Sequence, residues 1–299
     1  MKFLLLGASG QVGTELRRRL PALGDVACAT RTGMLDDGSA CLPIDFDSPR
    51  TLAPLVDSVA PDVVVNAAAY TAVDRAEDDE AAAFRVNAEA PGVLADACAA
   101  RGALLVHYST DYVFDGQGTR PYREDDPVAP LGVYGASKLA GEQAIQASGA
   151  RHLILRTAWV YAAHGHNFMR TMLRLSAERD ELRVVDDQVG SPTPASLIAD
   201  VTARVVGAQS GESGLWHLTA AGTTSWAGFA SAILEGAVER GLIPRAPRVV
   251  PIRSGDYPTR ARRPAYSVLD TARLARDFGI RPVPWQDGLG SVLDEIGIA

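Results

Sequence analysis

The chain opens Met1-Lys2-Phe3-Leu4-Leu5-Leu6 and runs without a break into Gly7-Ala8-Ser9-Gly10-Gln11-Val12-Gly13. A short apolar run that hands over to three glycines at G-x-x-G-x-x-G spacing, with an amphipathic helix behind, reads as a buried strand, a tight turn and a helix N-terminus. The rhythm repeats. Phe3–Leu6 reads as a strand, Gln11–Leu20 as a helix and Asp25–Thr30 as a second strand. Ser48 reads as the cap of a helix reaching Val59, with Pro49 at its first position. Val63-Val64-Val65 is a near-continuous apolar run, expected of a strand covered on both faces. Glu80–Ala100 reads as helix, Leu104–Tyr108 as strand, Tyr134–Ala147 as helix and His152–Leu155 as strand. Strands alternating with helices imply βαβ units.

The fold class expected is therefore α/β: a Rossmann-like, doubly wound parallel sheet with a smaller C-terminal lobe. Residues 1–156 would form the dinucleotide-binding domain and 157–299 mainly the substrate-binding lobe, with sheet elements recurring after 156. In the second part Asn167–Glu178 and Pro194–Val206 read as helices and Leu182–Val185 as extended. A Pro/Arg-rich stretch follows from Pro244 to Pro264.

The formal net charge of −7 gives no basis for a nucleic-acid partner. Cys28, Cys41 and Cys98 are odd in number and widely spaced, fitting reduced thiols better than disulfides or a zinc site. The N-terminal apolar run is too short for a signal core or a membrane span, so no membrane partner is expected and the cytoplasm is the expected location.

Glycines at 7, 10 and 13 let the backbone turn tightly and approach a pyrophosphate, whose charge then rests on a helix N-terminus. Gly7, Gly10, Gln11, Val12 and Gly13 are thus the expected cofactor loop. A carboxylate after the second strand would select NAD. The chain reads Ala29-Thr30-Arg31-Thr32-Gly33 instead, and Arg31 suits the 2′-phosphate of NADP. NADPH is the cofactor expected, with NADH tolerated. Asp45 and Phe46 follow the third strand and would flank the adenine. Ala67, Ala68 and Ala69 follow the fourth, and their small side chains would let the cofactor pass close to the backbone.

Of 29 basic residues only Lys2 and Lys138 are lysines. Lys138 stands four residues after Tyr134, so on a helix the two share a face. An ammonium beside a phenol favours phenolate and lowers its pKa, which suits a tyrosine acid/base. Thr110, at the carboxyl end of the fifth strand, would offer a hydroxyl to the same cleft.

A Gly-rich N-terminal turn followed by Ser/Thr, Tyr and Lys in this order resembles the extended short-chain dehydrogenase/reductase superfamily. More specific segments are Asn66–Asp74, Ser109–Gly116, Arg156–Tyr161 and Tyr257–Pro264. Together they resemble the dTDP-4-dehydrorhamnose reductase family, from residue 1 to about residue 290. The resemblance implies NADPH-dependent reduction of the C4 ketone of dTDP-4-dehydro-6-deoxy-L-mannose to dTDP-L-rhamnose, a precursor of cell-wall polysaccharide. Thr110, Tyr134 and Lys138 would be the catalytic set, with Lys138 also on the nicotinamide ribose. Superfamily dehydratases carry an acid directly after the Thr-Asp pair. Tyr112 stands there, in keeping with simple ketone reduction.

Thr71, Val73, Tyr112 and Trp159 match positions facing the sugar, with Trp159 a candidate to stack on the pyranose. Arg260 and Arg263 are candidates for the diphosphate, because Arg forks match phosphate oxygens. Some relatives hold Mg²⁺ on the carboxylate corresponding to Glu15, at a homodimer interface. The partner acids expected near residue 190 are missing, and that departure counts against both metal and dimer. His164-x-His166 reads as solvated, and Glu77-Asp78-Asp79-Glu80 as an acidic helix start. Two alternatives stand beside this reading. One is a different nucleotide-sugar 4-ketoreductase. The other is a non-catalytic NADP-binding regulatory subunit, like the β subunit of methionine adenosyltransferase, against which Thr110, Tyr134 and Lys138 argue.

Overall fold

The computed structural model describes residues 1–208 and 211–298. Six strands, β1 (Lys2–Leu6), β2 (Asp25–Thr30), β3 (Leu42–Pro43), β4 (Val63–Asn66), β5 (Leu104–Thr110) and β6 (His152–Thr157), join with Gly214–His217 in one sheet. Its order is Gly214–His217, β6, β5, β4, β1, β2, β3, and every neighbouring pair is parallel. The order reverses between β1 and β4. At such a switch point the loops beyond the strand C-termini diverge and leave a crevice for a ligand.

Alternation along each strand supplies two cores. Phe3, Leu5, Val63, Val65, Val106, Leu153 and Leu155 point to one face. They meet Leu16 of the first helix (Gln11–Arg19) and Ile198, Val201 and Val205 of the Ala195–Gly207 helix. Leu4, Leu6, Val64, Leu105 and Ile154 point to the other, against Leu52 and Val56, Leu94 and Cys98, and Ile145. Each fully buried Leu, Val or Ile contributes roughly 1.5–3 kcal/mol, so a sheet covered on both faces is the main stabilising unit.

The Ala195–Gly207 helix and the Gly214–His217 strand return the chain to the sheet after residue 156. The segments before and after them form a third core of Tyr161, Met169, Met172, Leu182, Val184, Phe229, Ile233, Trp285 and Leu289. Helices Phe168–Ser176, Trp226–Glu239 and Trp285–Ile298 and a parallel strand pair, Glu181–Val185 with Arg248–Ile252, build it.

Two local readings differ. Ser48 makes no side-chain cap, and Pro49–Thr51 forms a 3₁₀ turn before the helix Leu52–Val59. The expected helix over 80–100 is divided into Glu80–Phe84, a π-helical turn Arg85–Glu89 and Ala90–Arg101. Such π-turns occur often at functional sites, and this one carries the fully buried Asn87.

Candidate active site

Gly7, at the end of β1, has φ +76°. A Cβ there would stand 2.7 Å from the Ala68 backbone nitrogen, and one on Gly13 would stand 2.1 Å from the Gly7 carbonyl oxygen. The turn is thus closed down to backbone contact with the loop after β4, which only glycine permits. Gly10 N-caps the first helix without a side-chain cap, leaving N–H groups of its first turn available to an anion. Gln11 begins that helix, and its side-chain oxygen accepts from the Asn167 amide at 2.9 Å. Val12 packs partly against the first core. This cradle fits a dinucleotide pyrophosphate.

Arg31 is exposed in the turn after β2, whose shape is held by Thr30 Oγ1 donating to the Met34 carbonyl at 2.9 Å. Asp36, the first carboxylate beyond it, pairs with Arg17 at 3.1 Å. Asp45 is exposed beyond β3, where it accepts from the Asp47 N–H, and Phe46 packs against the second core. Ala67, Ala68 and Ala69 follow β4 in the half-buried loop that faces Gly7.

Tyr134 and Lys138 lie one turn apart on the Val133–Ala147 helix. A Cβ on Gly135 would stand 2.2 Å from the Tyr112 carbonyl, so the missing side chain lets the helix approach that loop. Tyr112 and Tyr134 meet edge to face, with centroids 5.7 Å apart. Thr110 is buried at the end of β5 and caps the turn Asp111–Val113, accepting from the Tyr112 N–H at 3.2 Å. Its hydroxyl donates to Asp111 Oδ1 at 3.0 Å and acts on the Tyr134 phenol to favour its ionised form. Burial pushes that phenol up to about 12, with Thr110 drawing it back and Asp111 adding to the rise.

Lys138 corrects an expectation. Its amine is held inside the fold, 2.6 Å from the Tyr108 carbonyl oxygen and 3.1 Å from His107 Nε2. Burial, opposed by Glu142, brings the amine down to about 8. The phenol's own titration is governed by burial. Beneath the lysine, Asn66 Nδ2 lies 3.2 Å from His107 Nδ1. These two residues are side by side because the β4–β5 register pairs them.

Val73, Tyr112 and Tyr134 line one crevice together with Ala261, Arg262 and Pro264. The segments around Ser109–Gly116 and Tyr257–Pro264 are therefore in contact, and a Cβ on Gly116 would stand 2.5 Å from the Pro264 Cα. Thr71 is exposed on the neighbouring loop. That loop is anchored by Asn87, which accepts from the Tyr70 N–H at 2.8 Å and donates to the Tyr70 carbonyl and to Ser137 Oγ, both at 3.0 Å.

Beyond the crevice opens a cleft of about 1220 Å³, whose lining includes Asp74, Arg179, Arg183, Tyr257, Arg260 and Arg263. Arg263 forks onto Asp74 at 2.7 and 3.0 Å, and Arg260 pairs with Asp78. Both arginines reach the cleft already engaged by carboxylates.

Trp159 departs from its expected role. It sits at φ +48° and stacks face to face on Trp226, 3.6 Å between centroids and 4° from parallel. That face is not available to a pyranose. The acidic run also does something else: Glu77 Oε1 accepts from the Val133 N–H at 2.9 Å, capping the Tyr134 helix.

Glu15 does not fit a metal. Its buried carboxylate receives Arg18 at 3.0 Å, Arg19 at 3.8 Å and His164 Nε2 at 2.8 Å, and the two guanidinium charges oppose Mg²⁺ there. His164, read as solvated, is one of those partners. Among the described residues no cluster of three His, Cys, Asp or Glu side chains has metal-binding geometry, and no helix is long and apolar enough to cross a membrane.

Sequence reasoning missed Asn66, Asn87, His107 and Glu77. The available signal was position: Asn66 ends the apolar run Val63–Val65 in β4 and His107 follows the apolar run Leu104–Val106 in β5, both fully enclosed.

Residues 1–298 match the family model described as the RmlD substrate binding domain. The dTDP-4-dehydrorhamnose reductase of Burkholderia thailandensis is 50% identical, the match covering 97% of each chain. Solved structures agree. The dTDP-4-dehydrorhamnose reductase of Clostridium acetobutylicum superposes with a TM-score of 0.89 at 35% identity, covering 99% of each chain. That of Bacillus anthracis, in complex with NADP, gives 0.88 at 32% identity, covering 98% of this chain and 99% of its own.

Proposed function

Since the chain belongs to the RmlD substrate binding domain family, we propose that it reduces the C4 ketone of dTDP-4-dehydro-6-deoxy-L-mannose with NADPH, completing dTDP-L-rhamnose. The relatives named above carry that activity in their names, and one was solved with NADP. The observation that carries the reading here is that Thr110, at the carboxyl end of β5, acts on the buried phenol of Tyr134.

When bound, the reduced nicotinamide supplies a hydride to the carbonyl carbon. Thr110 orients the carbonyl oxygen through its hydroxyl. Tyr134 gives that oxygen its phenolic proton as negative charge develops on it. A phenol held up near 12 is fully protonated at neutral pH, the state a reductase needs in its acid. Lys138 binds the nicotinamide ribose once its amine turns outward.

Gly7, Gly10, Gln11, Val12 and Gly13 hold the pyrophosphate, Arg31 the 2′-phosphate, Asp45 and Phe46 the adenine side, and Ala67–Ala69 the path between. NADPH is preferred because no carboxylate follows β2 to bind the ribose hydroxyls of NADH, which is tolerated more weakly. Thr71, Val73 and Tyr112 face the sugar. Arg260 and Arg263 take the diphosphate by exchanging Asp78 and Asp74 for phosphate oxygens.

The test uses the purified protein alone with NADPH and the dTDP-ketosugar. NADPH consumption with formation of dTDP-L-rhamnose supports the reading. Binding of NADPH without consumption would indicate a regulatory subunit, and turnover only with another nucleotide sugar would indicate a different 4-ketoreductase.

A further inference from the structure

Asn66, His107 and Lys138 form a buried line of polar side chains in which the direction of every hydrogen bond can be worked out. Their side chains are almost wholly enclosed: relative exposure is 1% for Asn66, 1% for His107 and 2% for Lys138. The Ala68 N–H donates to Asn66 Oδ1 at 3.2 Å, which fixes the amide. Asn66 Nδ2 therefore donates, and His107 Nδ1, 3.2 Å away, accepts. A neutral imidazole that accepts at Nδ1 carries its proton at Nε2. That N–H points at Lys138 Nζ, 3.1 Å away. An ammonium has no lone pair and cannot accept from it. An uncharged amine can, while still donating to the Tyr108 carbonyl at 2.6 Å.

We propose that His107 is a positioning residue which, through the proton on its Nε2, holds Lys138 as an uncharged amine in the cofactor-free protein. The charged groups around the lysine permit this. Glu142, one turn further along the same helix, is held by Arg156 of β6 at 2.6 and 2.8 Å. Tyr134 stands one turn back on the same helix, and burial favours its neutral form. Recharging Lys138 while its amine stays at His107 requires His107 to move its proton to Nδ1 and Asn66 to turn its amide, which breaks the bond to the Ala68 N–H. That N–H belongs to the loop against which Gly7 packs. A ligand oxygen that captures the Ala68 N–H would release Asn66, so the charge on Lys138 is tied to the filling of the cofactor loop. The tie to the cofactor rests on the proposed function; the charge of Lys138 in the free protein does not.

Lys2 and Lys138 are the only lysines, so ¹⁵Nζ/¹³Cε-lysine labelling gives one reporter each. Lys2 lies near the surface at the chain start and serves as the internal standard. In the full-length protein without ligand, Lys138 is expected to titrate below pH ~7, more than three units below Lys2. In His107→Phe, with the opposing N–H removed, it should move up by a unit or more. His107→Gln, whose amide can again present an N–H to the amine, should restore the low value. Addition of NADP⁺ should raise the Lys138 midpoint in the wild type and leave it nearly unchanged in His107→Phe. If His107→Phe fails to fold, the wild-type and His107→Gln titrations decide. A free wild-type Lys138 midpoint above pH ~7 overturns the proposal, as does an unchanged midpoint in a folded His107→Phe. A low free-state midpoint that NADP⁺ does not move overturns the cofactor tie.

Discussion

Arg156 and Glu142 close on each other inside the protein, Nη2 to Oε2 at 2.6 Å and Nε to Oε1 at 2.8 Å. The pair stands one turn beyond Lys138 and joins β6 to the Tyr134 helix. The guanidinium also lies over the Phe114 ring, 5.1 Å from its centroid. Arg156→Met would leave a buried carboxylate without its partner and should lower unfolding free energy by ~3–5 kcal/mol. Pairing it with Glu142→Leu should recover most of that loss. Urea unfolding of the three proteins checks this. A single variant no less stable than the double would show that the ion pair is not what the carboxylate depends on.

Asp111 gives stability a pH dependence of known sign. Burial raises its carboxyl to about 6, against the pull of the Ser267 and Thr110 hydroxyls. The folded protein therefore holds this proton more tightly than the unfolded chain. The favourable contribution is complete below pH ~4 and is lost as pH rises through about 6, on the order of 2–3 kcal/mol. Asp111→Asn should accordingly be more stable than wild type at pH 8 and show little difference at pH 4. Equal gains at both values would contradict the assignment.

Within the Gly-rich turn, position 13 is far less tolerant than position 10. A Cβ at Gly10 meets only the Gly7 carbonyl at 3.3 Å, whereas one at Gly13 would stand 2.1 Å from that atom. Gly13→Ala should lower Tm by several degrees and weaken NADPH binding about tenfold or more, with Gly10→Ala much milder on Tm. Calorimetry and fluorescence titration measure both. Comparable effects at the two positions would mean that the close contact is not the reason for Gly13.

Arg31 is exposed and has no ion-pair partner among the described residues, so its charge is free for a phosphate. Arg31→Ala should raise KM for NADPH about tenfold or more, the size of a charge-assisted hydrogen bond, and leave KM for NADH nearly unchanged. An unaltered ratio of kcat/KM for the two cofactors would remove Arg31 from the 2′-phosphate site.

What the sequence reveals is whatever depends on neighbours along the chain. Alternation in Phe3–Leu6 and Leu104–Tyr108 marks strands, glycine spacing marks the turn, and Tyr134 and Lys138 share a helical face whatever surrounds them. What it conceals depends on residues brought together across the fold. Asn66 meets His107 only through the β4–β5 register. Trp159 gives its face to Trp226, and Glu15 gathers Arg18, Arg19 and His164. The orientation of Lys138 is concealed for the same reason. Sequence spacing places it beside Tyr134, but the carbonyl and imidazole that capture its amine belong to β5.

The central claim is direct hydride delivery to the C4 carbonyl at a site where Tyr134 supplies the proton. A single turnover with NADPH deuterated at the transferring position of the nicotinamide tests it most directly. The account predicts dTDP-L-rhamnose carrying one deuterium at C4 of the sugar, formed ~10²–10⁴-fold more slowly by Tyr134→Phe although that variant still binds NADPH. Deuterium elsewhere in the product, no deuterated product from a folded protein that binds NADPH, or an undiminished rate in Tyr134→Phe would contradict it.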